Sequence, residues 1–519
     1  MKRLGLCVAA ALMAAAPALG VTIPVAVAPA LGATNSGRLI AFVQRVTVPK
    51  PGEALDPDVD FSAFEPTGAT IAARDVTDLA PGHVAAIDGE TDVFPAAMAT
   101  LPPGEYRVQA VLDRNHDYAY AGRGAGDFVS PVVVFTLPGS VPVVTLDHVV
   151  PPIDPAAMLA KRPAAVRERL ATWLPQVRAV DVLSTALTAF RGTPMHVRGW
   201  LALPPGYDGI TRFPTVYSTG GFGSTLASAK NSAATTMALM AAHTLPPMIW
   251  VYLDHSGATG TTEFADSANN GPWGRALTAE VIPALEAEYR MDARPSGRFL
   301  TGHSSGGWST LWLQVHYPKL FGGTWPTSPD PSDFHDFTNI DLYAADANFY
   351  AGPDGAPRPL IRDGGKVMAT MRDFAHAEAV MGPAGGQIAS FEWVFSPRGE
   401  DGRPAPLFDR ATGRIDPAVV AYWRDNYDIA HIVARDWAVL KPDLDGKIHL
   451  TVGTADTFYL DGPAHRLQAV LDRLGAQSSF RYLDGKTHMD LYARGDDKFA
   501  LQKDIAAEMY AVARPGRQP

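Results

Sequence analysis

"RFLTGHSSGGWST", residues 298–310, decides the fold. A short apolar run ends at Gly302, Ser304 follows two positions on, and Gly306 two positions after that. A GxSxG match alone is weak. It gains meaning as a strand-to-helix elbow, in which the serine sits on a strained turn and only glycines tolerate the close approach of backbone. "GRFLTG" (297–302) predicts the strand, and "GGWSTLWLQVHY" (306–317) predicts the helix.

A serine hydroxyl becomes a useful nucleophile only when a base takes its proton, and the base must be oriented by a carboxylate. In a sheet with this elbow the partners follow in the order Ser, Asp or Glu, His. Seven histidines follow Ser304: His316, His335, His376, His431, His449, His465 and His488. "KIHLTVGTAD" (447–456) reads as a strand ending in a loop with Asp456, and "SSFRYLDGKTH" (478–488) as the next strand leading to His488. Only His465 and His488 lie beyond Asp456, and His465 falls in a helical stretch (462–477) as a surface residue. The triad is therefore Ser304, Asp456 and His488. A tetrahedral intermediate also needs two backbone N–H donors. Ser305 supplies one, and the glycine-rich loop of "FPTVYSTGGFGST" (213–225) supplies the other, from Gly221 or Phe222.

Around this centre, strand and helix alternate. "VRGWLALPPGY", "FPTVYST" and "MIWVYLDHS" read as strands, "ALTAEVIPALEAEYR" (276–290) as a helix, and the pattern continues to residue 515. That alternation predicts an α/β fold, a mostly parallel sheet flanked by helices, over residues 179–515. Residues 36–150 read differently, as short alternating segments such as "GRLIAFVQRVTV" and "SPVVVFTL" separated by turns such as "LPPGEY". They predict a small antiparallel β-sandwich-like accessory domain. The Pro-rich stretch from 151 to 178 reads as the linker.

Composition is that of a globular protein: 519 residues, 47% hydrophobic and 19% charged. A net charge of −10 with no basic run excludes electrostatic binding to nucleic acid or to an anionic membrane surface. The first residues, "MKRLGLCVAAALMAAAPALG", place Lys2 and Arg3 before an apolar run, with small-residue cleavage sites near Ala26-Val27-Ala28 and Leu31-Gly32-Ala33. Residues 1–33 are expected to be a signal peptide, the mature protein to be periplasmic or secreted, and no membrane span to remain after cleavage. The one cysteine, Cys7, leaves with the leader, so disulfides and thiol chemistry are not expected.

"RFLTGHSSGGWSTLWLQVHYPKLFGGTWPTSP", "ADSANNGPWGRALTAEVIPALEAEYR" and "GTADTFYLDGPAHRL…DGKTH" resemble the putative-esterase family of α/β-hydrolases, which includes S-formylglutathione hydrolases, enterobactin-type esterases, feruloyl and acetyl-xylan esterases and mycolyltransferases. The resemblance covers about residues 180–510 and implies the same roles for Ser304, Asp456 and His488. Thr219 stands where the family's oxyanion histidine is usual, and the stretch from Ser304 to Asp456 is longer than a compact member needs. The excess, about Pro329 to Leu440, reads as a lid or substrate wall. Its aromatic residues Phe374, Trp393, Phe395 and Trp423 read as the core of that insertion.

"DRNHDYAYAGRGAGD" (113–127) has Asp113, Asn115 and Asp117 at the spacing that opens an EF-hand loop, but Tyr118 replaces the required glycine and the closing glutamate is missing. It reads as a solvated turn, as does the loop of Asp56, Asp58 and Asp60, and neither a metal nor any other cofactor is expected. The expected activity is that of a serine esterase acting on a small-molecule or polymer-linked ester. An acyltransferase would use the same triad. A non-catalytic exported binding protein of the same fold is the alternative outside enzymology, and sugar affinity that survives Ser304→Ala would mark it.

Overall fold

The computed structural model describes residues 21–32, 34–47, 56–152, 159–160 and 162–517. The first 20 residues of the expected leader lie outside the described residues. The chain divides into two compact units, one of residues up to Phe61 with Thr67–Leu112 and Phe128–Val149, the other of Ser62–Pro66, Asp113–Asp127 and Val150–Pro519.

The first unit is all β. Strands β1 (Ile23–Val27), β4 (Val84–Ile87) and β9 (Val144–Leu146) form one sheet in the order β4-β1-β9. The other runs β10-β7-β6-β2-β3-β5, with β8 (Val133–Leu137) also on β6; its strands are β2 (Asn35–Arg45), β3 (Thr70–Leu79), β5 (Asp92–Phe94), β6 (Gly104–Asp113), β7 (Phe128–Val129) and β10 (His148–Val149). Alternate residues of β1, Ile23, Val25 and Val27, join Leu39, Ala41, Val108, Leu112 and Phe135 in one apolar cluster, as period-2 side-chain alternation requires. Two observations differ from the sequence expectation. The β1–β9 pair is parallel, so the unit is not purely antiparallel. Strand β1 also lies inside the stretch expected to leave with the leader, and Ile23 and Val25 are fully buried.

The second unit holds an eight-stranded sheet in the order β11-β12-β14-β13-β15-β16-β19-β20. Its strands are β11 (Arg178–Ser184), β12 (Met195–Ala202), β13 (Thr215–Thr219), β14 (Ile249–Leu253), β15 (Arg298–His303), β16 (Gly323–Thr327), β19 (His449–Gly453) and β20 (Ser479–Leu483), while β17 (Pro359–Asp363) and β18 (Lys366–Thr370) form a separate hairpin. The first three strands in sheet order pair antiparallel and the rest run parallel. Strands β14 and β16 are buried along their whole length, and β14 reads as an apolar run for that reason. Helix α1 (Ala164–Trp173) occupies part of the stretch read as linker and packs with α2 (Leu226–Ala241). Helix α3 (Ser305–His316) is buried from Ser305 to Val315.

The insertion folds into β17–β18 and helices α4 (Met371–Met381), α5 (Gln387–Phe395), α6 (Pro417–Tyr427) and α7 (Ile429–Leu444). Phe395 packs on Trp308 of α3 and edge-on to Trp423, with ring centroids 4.6 and 5.2 Å apart. Phe374, Phe395 and Trp423 are buried, as the core reading expected; Trp393 is half-exposed. Helix α8 (Asp461–Arg473) and the C-terminal α9 (Ala500–Ala513) complete the unit.

Candidate active site

Ser304 joins β15 to α3 with φ 58° and ψ −125°, a region a non-glycine residue enters only when its surroundings hold it there. The flanking glycines explain how. A Cβ on Gly306 would lie 2.3 Å from the Thr219 carbonyl oxygen and 2.4 Å from that of Gly220; one on Gly302 would lie 2.2 Å from the Gly306 oxygen. The elbow is wedged against the end of β13. Ser305 opens α3, where first-turn N–H groups have no intrahelical acceptor. A Cβ on Gly221 would sit 3.0 Å from that of Ser304, so the glycine loop after β13 passes directly beside the serine. Of the two expected donors in that loop, Gly221 is thus beside Ser304, and Phe222 follows it in the chain.

Asp456 and His488 project from the loops after the adjacent strands β19 and β20. His488 Nδ1 lies 2.9 Å from Asp456 Oδ2, and both residues are buried. The other carboxylate oxygen of Asp456 accepts from the amides of Phe458 at 2.9 Å and Leu460 at 3.3 Å. Burial by itself would raise the Asp456 pKa, but the bond and charge of His488 and the amide bonds outweigh it and hold the carboxyl below its ordinary value. The His488 ring is 4.3 Å from that of His303, the residue before Ser304, and Phe458 stands edge-on to it at 4.9 Å. His465, the other histidine after Asp456, is exposed on α8 and stacks on Tyr482.

Four further residues take part that no local motif marks. His255 is buried and its Nε2 donates to the Gly221 carbonyl at 3.3 Å, which holds the glycine loop from behind; burial pushes its pKa down and favours the neutral ring. Tyr120 donates to the Ser224 carbonyl at 2.7 Å and meets Phe222 edge-on at 4.9 Å. Its segment, 113–127, belongs to the second unit although the sequence places it in the accessory domain. Arg362, on the insertion's β17, donates to the backbone carbonyl of Asp456 at 2.7 Å and pairs with Asp461 at 2.9 Å. Asp330, in the loop after β16, is 3% exposed. It accepts from the Ser304 hydroxyl at 3.3 Å and from the Ser305 hydroxyl at 2.6 Å, and burial pushes its carboxyl up to about 6.

The turn at 113–127 is not the solvated one expected. Asp113 and Asp127 are buried, and with Asp117 they bring carboxylate oxygens within 4.8 Å of one another. Their acceptors are occupied in part by the turn's own amides, including those of His116, Tyr118 and Gly124.

A mixed sheet of this order, with a strained serine after its fifth strand in chain order and a buried Asp–His pair after the last two, defines an α/β-hydrolase. The family described as "Putative esterase" matches residues 191–501; the chain belongs to that family and is an ester hydrolase. Among solved structures it is similar to a ferulic acid esterase, at 13% identity and a TM-score of 0.39 over 65% of this chain and 97% of the other. It is similar also to an S-formylglutathione hydrolase from Staphylococcus aureus, at 12% identity and a TM-score of 0.39 over 65% and 98%. The S-formylglutathione hydrolase from Agrobacterium tumefaciens gives 12% and 0.37 over 65% and 94%. No curated protein matches the chain.

Proposed function

We propose that the protein is an exported serine esterase in which Ser304 is the nucleophile, His488 the general base and Asp456 the acid that orients it. The observation that carries this reading is the buried His488 Nδ1–Asp456 Oδ2 contact of 2.9 Å beside an elbow serine. With Nδ1–H donated to Asp456, the His488 tautomer leaves Nε2 free to accept a proton. Ser304 Oγ attacks the ester carbonyl carbon as His488 takes its proton; the oxyanion is received by the N–H of Ser305 and that of Gly221 or Phe222. The carbon–alkoxide bond then breaks, and His488 returns the proton to the departing alcohol. Water repeats the sequence on the acyl-enzyme, releasing the acid and restoring Ser304. The insertion walls the substrate side of this centre, and the ester is a small molecule or part of a polymer.

Export rests on Lys2, Arg3 and the apolar run after them. The buried strand Ile23–Val27 supports a cut before it rather than at residues 28 or 33, and Ala18-Leu19-Gly20 offers small residues at the two positions a signal peptidase reads.

The test is hydrolysis of p-nitrophenyl and feruloyl esters by the chain from Val21 onward, beside Ser304→Ala and His488→Ala. Each substitution is expected to lower kcat by about 10³-fold or more. Undiminished hydrolysis by Ser304→Ala overturns the mechanism.

A further inference from the structure

The proposed reaction leaves one group beside the nucleophile unused. Asp330 has a carboxylate with room for about four hydrogen bonds, yet among the described residues its donors are the hydroxyls of Ser304 and Ser305 alone. A buried carboxylate without a cation or a full set of donors is expensive to keep. Glu263 deepens the anomaly. It is fully buried, close enough for the charge of Asp330 to raise its pKa, and its Oε2 has no partner among the described residues. Asp330 also lines a narrow cavity of about 30 Å³ walled by Phe337, Phe349, Phe374, Phe391 and Phe458. That is room for about two or three water-sized groups. Thr338 and Gln387 also line it, and Asp330 is the one charged residue of that lining among the described residues.

Resting on the serine-esterase reading, we propose that Asp330 is a specificity-determining residue that selects short acyl groups carrying a hydrogen-bond donor, a hydroxyl or an ammonium, on the carbon next to the ester carbonyl. Asp330 Oδ1 lies 3.3 Å from the oxygen that bonds the acyl carbon, so a donor two bonds beyond that carbon is within reach of the carboxylate. The substrate supplies a further partner that the described residues do not. The same carboxylate repels acyl groups that end in a carboxylate of their own.

The experiment compares kcat/KM at about pH 7 for ethyl propionate, ethyl lactate and alanine ethyl ester, each divided by its hydroxide-catalysed rate so that intrinsic reactivity cancels. Wild type is expected to favour the lactate or the alanine ester over the propionate by about tenfold or more. Loss of both preferences in Asp330→Leu assigns them to the acceptor. In Asp330→Asn, loss of the alanine preference with the lactate preference kept identifies the ammonium as the recognised donor, and loss of neither overturns a role for the charge. Wild-type ratios within about twofold of one overturn the proposal while leaving the esterase reading standing. So does a preference that survives in Asp330→Leu. Failure to hydrolyse any ester, these three and the aryl esters alike, overturns both.

Discussion

Ser304 holds its unusual backbone angles because Gly302 and Gly306 let three stretches of backbone approach within van der Waals limits, and this sets the first prediction. Gly306→Ala places a methyl 2.3 Å from the Thr219 oxygen, so the elbow or the glycine loop must shift. It should lower Tm by several degrees and kcat together, measured by calorimetry and ester hydrolysis. Asp456→Asn keeps the shape of the pair but allows the wrong histidine tautomer; kcat should fall about 10³–10⁴-fold with little change in fold by circular dichroism. At this scale the positions of Ser304, Asp456 and His488 were legible because each follows a recognisable strand. Asp330 was not. "TSPDPSD" reads as a loop with two acids, and nothing local tells which of Asp330 and Asp333 turns toward a serine 26 positions earlier. His255 and Arg362 are hidden for the same reason: their partners are Gly221 and Asp456, 34 and 94 positions away.

Among elements, β16 shows how a strand escapes reading. "GTWPT" carries Pro326, which argues against a central strand, yet β16 lies between β15 and β19. Five residue pairs join it to β15, but toward β19 the ladder thins to Thr327↔Thr451 and an isolated bridge at Thr324↔Ile448. The missing N–H of Pro326 is consistent with that thinning. Strand β1 was hidden by its place beside the proposed leader, since an apolar segment next to an expected signal sequence reads as part of it. N-terminal sequencing of the protein from exporting cells should therefore begin at Val21; a start at Pro29 or Thr34 would mean that the first unit forms without its buried β1. The segment 113–127 carries a prediction of its own. Tyr120→Phe removes the bond to the Ser224 carbonyl but keeps the ring against Phe222. It should lower kcat by about tenfold with KM nearly unchanged if the loop it braces acts, as proposed, mainly in the transition state.

For the whole molecule, buried titratable groups make stability depend on pH in two opposed ways. Burial, with the neighbouring His488 second, pushes His303 down to about 3 from an ordinary 6.5, so it stays neutral when folded. Its contribution is present above about pH 6.5 and is lost progressively as pH falls toward 3, and His303→Gln should flatten the fall in Tm over that range. Asp330 has the reverse sign. Its folded carboxyl is raised to about 6, so stability is greatest below its unfolded value of 3.8 and is lost as pH rises through 6. Asp330→Asn should raise Tm well above pH 6 and leave it nearly unchanged near pH 4, by thermal scans. The sequence by itself determined the alternation of strand and helix, the elbow, and the chain order of the proposed nucleophile, acid and base, because these depend on periodicity and on residues next to one another in the chain. The tertiary structure alone decided which acid meets the serine, what braces the glycine loop, where β1 belongs and how the insertion's aromatic residues close on α3. Each of those is a contact between residues far apart in sequence, made when the sheet brings its strand ends together and removes their side chains from water.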